Sequence, residues 1–160
     1  MNVLKAKGVL VYDPDRTINK WKGKKVNGHK RVDMPWLVCN TSDSISAYYR
    51  WWAEKEILNP LKLDKGIKLQ PPMWGVHASI LHGREHIPED KQHLWGKYDG
   101  EVIEFEYSPF VTNTWKFFNV PVRSKMFEEI RTELGLPGVD PRHNVVLEGF
   151  NFHITIGRLI

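Results

Sequence analysis

The stretch NFHITI, residues 151–156, alternates polar and apolar side chains, and GVHASI, residues 75–80, repeats the grammar. Alternation of period two marks a strand with one face against a core and the other face open. Residues i and i+2 of a strand share a face. His77 therefore stands beside Ser79, and His153 beside Thr155, while Val76, Ala78 and Ile80, and Phe152, Ile154 and Ile156, point inward. Each strand has an apolar back and a front carrying one imidazole and one hydroxyl.

Outward from these strands the chain divides into two similar runs. KAKGVLVY (5–12) and MPWLVCNT (34–41) read as strands. A helix is expected over 41–58, capped by Thr41 or Ser42, with Asp43 in its first turn and Asn59-Pro60 as its stop. Residues 73–81 form the strand of His77. In the second run, 101–108 and 112–122 read as strands, and 123–136 as a helix capped by Ser124 and stopped by Gly135. Residues 148–160 close the chain as the strand of His153. Trp36 precedes His77 by 41 residues, and Trp115 precedes His153 by 38, each with a helix between. A strand–helix–strand unit is thus used twice, approximately over 34–81 and 112–160. The expectation is one α+β domain over 1–160, bilobal, with two antiparallel-sheet lobes, helices on the outside and a central cleft. His77 and His153 would face each other across that cleft.

Composition narrows the partners. The 160 residues carry a net charge of +4 and a pI near 9.1, a modest bias toward an anionic partner. Much of that bias lies in KWKGKKVNGHKR (20–31), which holds six Lys or Arg and no acid. It reads as a loop, either a solvated insertion or a phosphate-attracting flap. The single cysteine, Cys39, cannot form an internal disulfide and reads as a small core residue suited to a reducing cytosol. The N-terminal residues have no apolar run of signal-peptide length and no segment has the length of a membrane span, so a soluble, cytoplasmic protein with no membrane partner is expected.

Two imidazoles can divide acid and base duties near neutral pH, and the hydroxyls two residues on can donate to a non-bridging oxygen held between them. The matching electrophile is a phosphodiester, with attacking and leaving oxygens on opposite sides of phosphorus. A metal site is the rival use of histidine. His77, His82 and His86 cluster, but the chain lacks a Cys pair and an H-E-x-x-H motif, and Ser or Thr is a poor ligand for zinc-like ions. His82, five residues past His77, would fall on the opposite face of an unbroken strand. No metal and no cofactor is expected. G-x-x-x-x-G-K-[ST] is absent, and Ser79 lacks the turn motif of a serine nucleophile.

The paired HASI (77–80) and HITI (153–156), 76 residues apart in two strand–helix–strand halves, resemble the 2H phosphoesterase superfamily. That resemblance implies a bilobal α+β fold with both motifs on one cleft, and catalysis by His77, Ser79, His153 and Thr155. AKGVLVYD (6–13), PPMWGVHASI (71–80) and GFNFHITIG (149–157) are similar to the anti-CBASS cyclic-oligonucleotide phosphodiesterases of T4-like phages within it. The likeness implies metal-independent cleavage of 3′–5′ bonds in cyclic di- and trinucleotide second messengers, in the cytoplasm of an infected bacterium, to counter host defence. It implies no stable nucleic-acid duplex partner. It also favours base stacking by Tyr12, at the end of the first strand, and by Trp74, which a bulge at Gly75 would turn toward the cleft. Glu148, beside Gly149, would accept from a base amine. Arg158 reads equally as a phosphate ligand or a surface arginine, and Trp51, Trp52, Phe117, Phe118 and Phe127 read as core by position. Two alternatives share the same residues: a 2H enzyme acting on RNA 2′,3′-cyclic ends, and a non-catalytic sponge for cyclic nucleotides.

Overall fold

The computed structural model describes residues 2–14, 25–26, 29–30, 35–59, 66–141, 143 and 147–159. The first run gives β1 (Leu4–Tyr12), β2 (Lys25–Val26), β3 (His29–Lys30), β4 (Leu37–Asn40), α1 (Asp43–Ala53) and β5 (His77–Leu81). The second gives β6 (Val102–Tyr107), β7 (Thr112–Thr114), β8 (Phe117–Arg123), α2 (Lys125–Glu133) and β9 (Phe152–Arg158). Ser42 caps α1 by accepting from the Ser44 amide at 3.2 Å, and α1 runs on as a π-helical turn over Glu54–Leu58. Ser124 caps α2 by accepting from the Phe127 amide at 3.3 Å, and Gly135, at φ +78°, follows its end. β2 and β3 pair as a short antiparallel ribbon inside the stretch expected to be a loop; the rest of that basic stretch lies outside the described residues.

Two other expectations are corrected. The single strand over 112–122 is two strands, because the chain turns at Trp115–Lys116 with Trp115 at φ +55°. Trp115 is consequently an exposed turn residue, not the strand counterpart of Trp36. The strand expected from Met73 starts only at His77, since Met73 and Trp74 form a turn and Gly75 takes φ +78°.

The main sheet is antiparallel throughout, in the order β6-β1-β4-β5-β9-β8-β7. β6 also pairs with β8, at Glu106↔Arg123 and Tyr107↔Val122, so six strands close into a barrel. The two expected sheets are therefore joined into one. The central seam is β4-β5-β9-β8, with the two strand–helix–strand units side by side and β5 and β9 meeting at Ala78↔Ile154. α1 packs on β9 and α2 on β5, and both contribute to the core behind those strands with Tyr49, Ala53, Phe127 and Ile130. Cys39 is buried in that core, which pushes its thiol up to about 12 and keeps it protonated. Among the described residues no helix is long and apolar enough to cross a membrane.

Candidate active site

β5 and β9 are held front-outward by their backs. Ala78, Ile80, Ile154 and Ile156 are at most 2 % exposed, whereas His77, Ser79, His153 and Thr155 are half-buried. Extending the Ala78↔Ile154 register by one residue each way sets His77 against Thr155 and Ser79 against His153. The two imidazoles then lie on the diagonal of the pair, about 7–8 Å apart at the backbone. All four side chains line one cavity of about 750 Å³, within the size range of small-molecule sites.

Both strands carry a bulge directly after the hydroxyl residue. On β5, Val38 pairs with Ser79 but Leu37 with Leu81, so Ile80 is extra. On β9, Asn119 pairs with Thr155 but Phe118 with Gly157, so Ile156 is extra. An extra residue reverses the alternation. Two consecutive residues are buried in each case, Ile80–Leu81 and Ile156–Gly157, and the next side chain returns to the front. His82 and Arg158 both line the cavity as a result. The expectation that His82 would face away from His77 is corrected by this bulge.

Each functional group is anchored differently. His77 Nδ1 lies 3.2 Å from the Gly75 carbonyl; a carbonyl only accepts, so Nδ1 carries the proton. Ser79 Oγ receives a long bond from Trp36 Nε1, at 3.5 Å. Indole N–H is a donor only, so the serine hydroxyl proton remains available to a ligand. Thr155 Oγ1 donates at 3.0 Å to the side-chain oxygen of Asn119, a β8 residue that is 6 % exposed, so the threonine hydroxyl proton is already engaged. His153 stacks on His143, with ring centroids 5.0 Å apart and planes 10° from parallel. Burial first, and then the neighbouring His143, His82 and His77, push His153 down to about 3, so its ring is neutral at pH 7. Desolvation also lowers His82 and His143, with Glu85 and Asp140 partly opposing it at His82 and Asp140 at His143.

The described wall of the cavity holds no carboxylate. It holds Arg84, Lys116, Arg158 and four imidazoles. Arg158 Nε is buried and has no hydrogen-bond partner among the described residues. A buried unmet donor costs about 1–3 kcal/mol. Among the described residues no three His, Cys, Asp or Glu are grouped so as to hold a metal ion.

Trp74 lines the cavity, set edge-on to Trp36 at 5.7 Å, as the turn ahead of Gly75 directs. Tyr12 does not. It is 4 % exposed, edge-on to Trp95 at 4.8 Å, with its hydroxyl 3.4 Å from the Tyr98 amide. Burial raises its pKa strongly, and its role is in the core because β1 turns that side chain inward. Glu148 is exposed at the tip of the turn between Leu147 and Phe150 and does not line the cavity, although both neighbours do. Phe118 and Phe127 are core, and Trp52 packs against it. Phe117 lines the cavity and Trp51 is exposed beneath Lys55, so those two core expectations fail. Sequence reasoning does not single out Trp36, Asn119, His143 or Phe150 for the site; only the pairing of β8 with β9 and the turn before β9 bring the last three to it.

No protein-family model, curated protein or solved structure matches this chain.

Proposed function

We propose that the protein is a phosphodiesterase of the 2H type, bilobal about the β5–β9 seam, that cleaves cyclic di- and trinucleotide messengers and so counters a bacterial CBASS-type defence. The observation that carries the reading is the placement of His77, Ser79, His153 and Thr155 on one cavity, from two strands that meet at Ala78↔Ile154, with no carboxylate among the described lining residues. The chemistry needs a neutral imidazole on one side of phosphorus and a charged one on the other. His153, held neutral by its surroundings, is assigned as the base, and the anionic phosphate beside it must raise its proton affinity for it to keep the proton it takes. It takes the proton of the ribose 2′-hydroxyl as that oxygen attacks the adjacent 3′–5′ phosphodiester in line. His77 gives a proton from Nε2 to the departing 5′-oxygen while Nδ1 stays on the Gly75 carbonyl. The products of this step are a 2′,3′-cyclic phosphate and a free 5′-hydroxyl, and the pair is left with its roles exchanged for attack by water. Ser79 and Arg158 face the non-bridging oxygens, where charge develops, and Thr155 joins them by exchanging its bond to Asn119 Oδ1 for one to the phosphate. Trp74 offers a stacking face for one base.

The test is a substrate panel with wild type and His153→Ala: cyclic GMP–AMP, cyclic triadenylate and an RNA with a 2′,3′-cyclic end, with products followed by chromatography. Cleavage of the cyclic nucleotides by wild type alone, unaffected by a chelator, is the expected result. Cleavage of the RNA end alone moves the substrate class to RNA processing. Intact ligand throughout, despite binding, leaves a sponge.

A further inference from the structure

At each bulge a helix side chain donates to the carbonyl of the extra residue. Ile156 has no partner on β8, and β9 meets β5 only at Ile154. Its oxygen accepts instead from Ser46 Oγ at 3.0 Å and from Arg50 Nη1 at 3.1 Å, and Arg50 Nη1 also donates to Ser46 Oγ at 2.9 Å. Ile80, the extra residue of β5, has its oxygen held by Arg131 Nη1 at 2.9 Å. Arg131 is itself fixed by Glu85 and by the Pro137 carbonyl. The holders cross over. Arg50 lies on α1 of the first unit and grips the bulge of the second; Arg131 lies on α2 of the second and grips the bulge of the first.

We propose that Arg50 and Arg131 are positioning residues, each pinning a bulge that turns a cavity side chain, Arg158 and His82 respectively, toward the bound phosphate. The physical need is definite. A bulge that slides out of place restores regular alternation and sends the following side chain to the opposite face. For Arg158 that face is the apolar back formed by Ile154 and Ile156. A charge-assisted bond to the carbonyl of the extra residue opposes the slide. The helices thus hold the second tier of the site from behind, through backbone oxygens, without touching the cavity.

The inference rests on the phosphodiesterase reading only for its kinetic readout. Arg50 gives the cleaner test, since Arg131 forms a buried ion pair with Glu85. Arg50→Met, Arg158→Met and the double variant are compared, after thermal unfolding has shown each to be cooperative. Affinity for inorganic phosphate is read from the amide signals of Thr155 to Leu159, and kcat/KM from cyclic GMP–AMP hydrolysis. Each single variant is expected to lose about tenfold, and the double variant no more than either, because Arg50 acts through Arg158. Arg50→Lys, which keeps a donor, should recover most of the loss. An additive loss near a hundredfold, or an Arg50→Met with wild-type affinity, overturns the pin. If Arg50→Met does not fold, Ser46→Ala, which removes the other donor to Ile156, replaces it in the cycle with Arg158→Met: a non-additive loss supports the pin, and an additive one overturns it. Should the cycle hold for phosphate while no cyclic nucleotide is cleaved, the pin stands and the phosphodiesterase reading fails.

Discussion

β5 and β9 carry the same pattern, imidazole, hydroxyl, bulge and cavity-facing basic side chain at i, i+2, i+3 and i+5, yet their surroundings differ. On β5 the imidazole is tied through Nδ1 to its own turn at Gly75, the hydroxyl takes a bond from an indole, and the last residue is the titratable His82. On β9 the half-buried imidazole is stacked on His143, the hydroxyl donates to a buried amide oxygen, and the last residue is the guanidinium of Arg158. Under the proposed mechanism, duplicate geometry with unlike environments lets two chemically identical groups take the parts of base and acid. The lesson is that neighbours, not residue type, distinguish the two imidazoles.

Removing either imidazole tests the comparison most severely. His77→Ala and His153→Ala should each lower the rate by about 10²–10⁴-fold while leaving ligand affinity nearly intact. Near-normal turnover by either variant in a single-turnover assay would end the paired acid–base scheme. A substrate with deoxyribose at the scissile position should resist just as strongly, and its rapid hydrolysis would point to direct attack by water.

Stacking comes next. Trp74→Ala should weaken cyclic-dinucleotide binding by about 1–3 kcal/mol, read as a rise in KM or Kd by calorimetry. Tyr12→Phe, which keeps the core ring and removes only the hydroxyl, should leave that affinity unchanged; a comparable loss would return Tyr12 to the site.

The electrostatic difference has a pH signature. His153, His82 and His143 all have lowered values in the folded protein, so the unfolded chain binds protons first as pH drops below about 6.5. Stability is therefore full above that pH and falls as pH goes down. His153 alone should cost roughly 2–3 kcal/mol by pH 4.5. Urea midpoints from pH 7.5 to 4.5 measure it, and His153→Asn should flatten the slope. The smallest effect is expected at Glu148→Gln, exposed and off the cavity wall, with KM within about twofold of wild type and stability within about 0.5 kcal/mol.

The duplicated strand–helix–strand order was legible because its signals are local: alternation in 75–80 and 151–156, a serine before each helix, Gly135 after the second. The split of 112–122 was not, because a left-handed Trp115 has no signature in a run of β-forming residues. Tyr12 misled for a related reason. A tyrosine at a strand end reads the same whether it faces ligand or core, and its packing against Trp95, 83 residues away, decides it. Trp74 is expected on the cleft through a bulge at Gly75; it does line the cavity, but from a turn at Met73–Trp74 ahead of a strand that starts only at His77.

By itself the sequence determined which side chains alternate front and back on two strands, and hence that each strand joins an imidazole to a hydroxyl. Period-two geometry depends only on neighbours along the chain. Only the tertiary structure decided that the two strands lie side by side, that His153 is kept neutral, and that His82 and Arg158 turn into the cavity. Those outcomes depend on register, burial and one extra residue opposite a neighbouring strand, and each of these is fixed by groups far away in the chain.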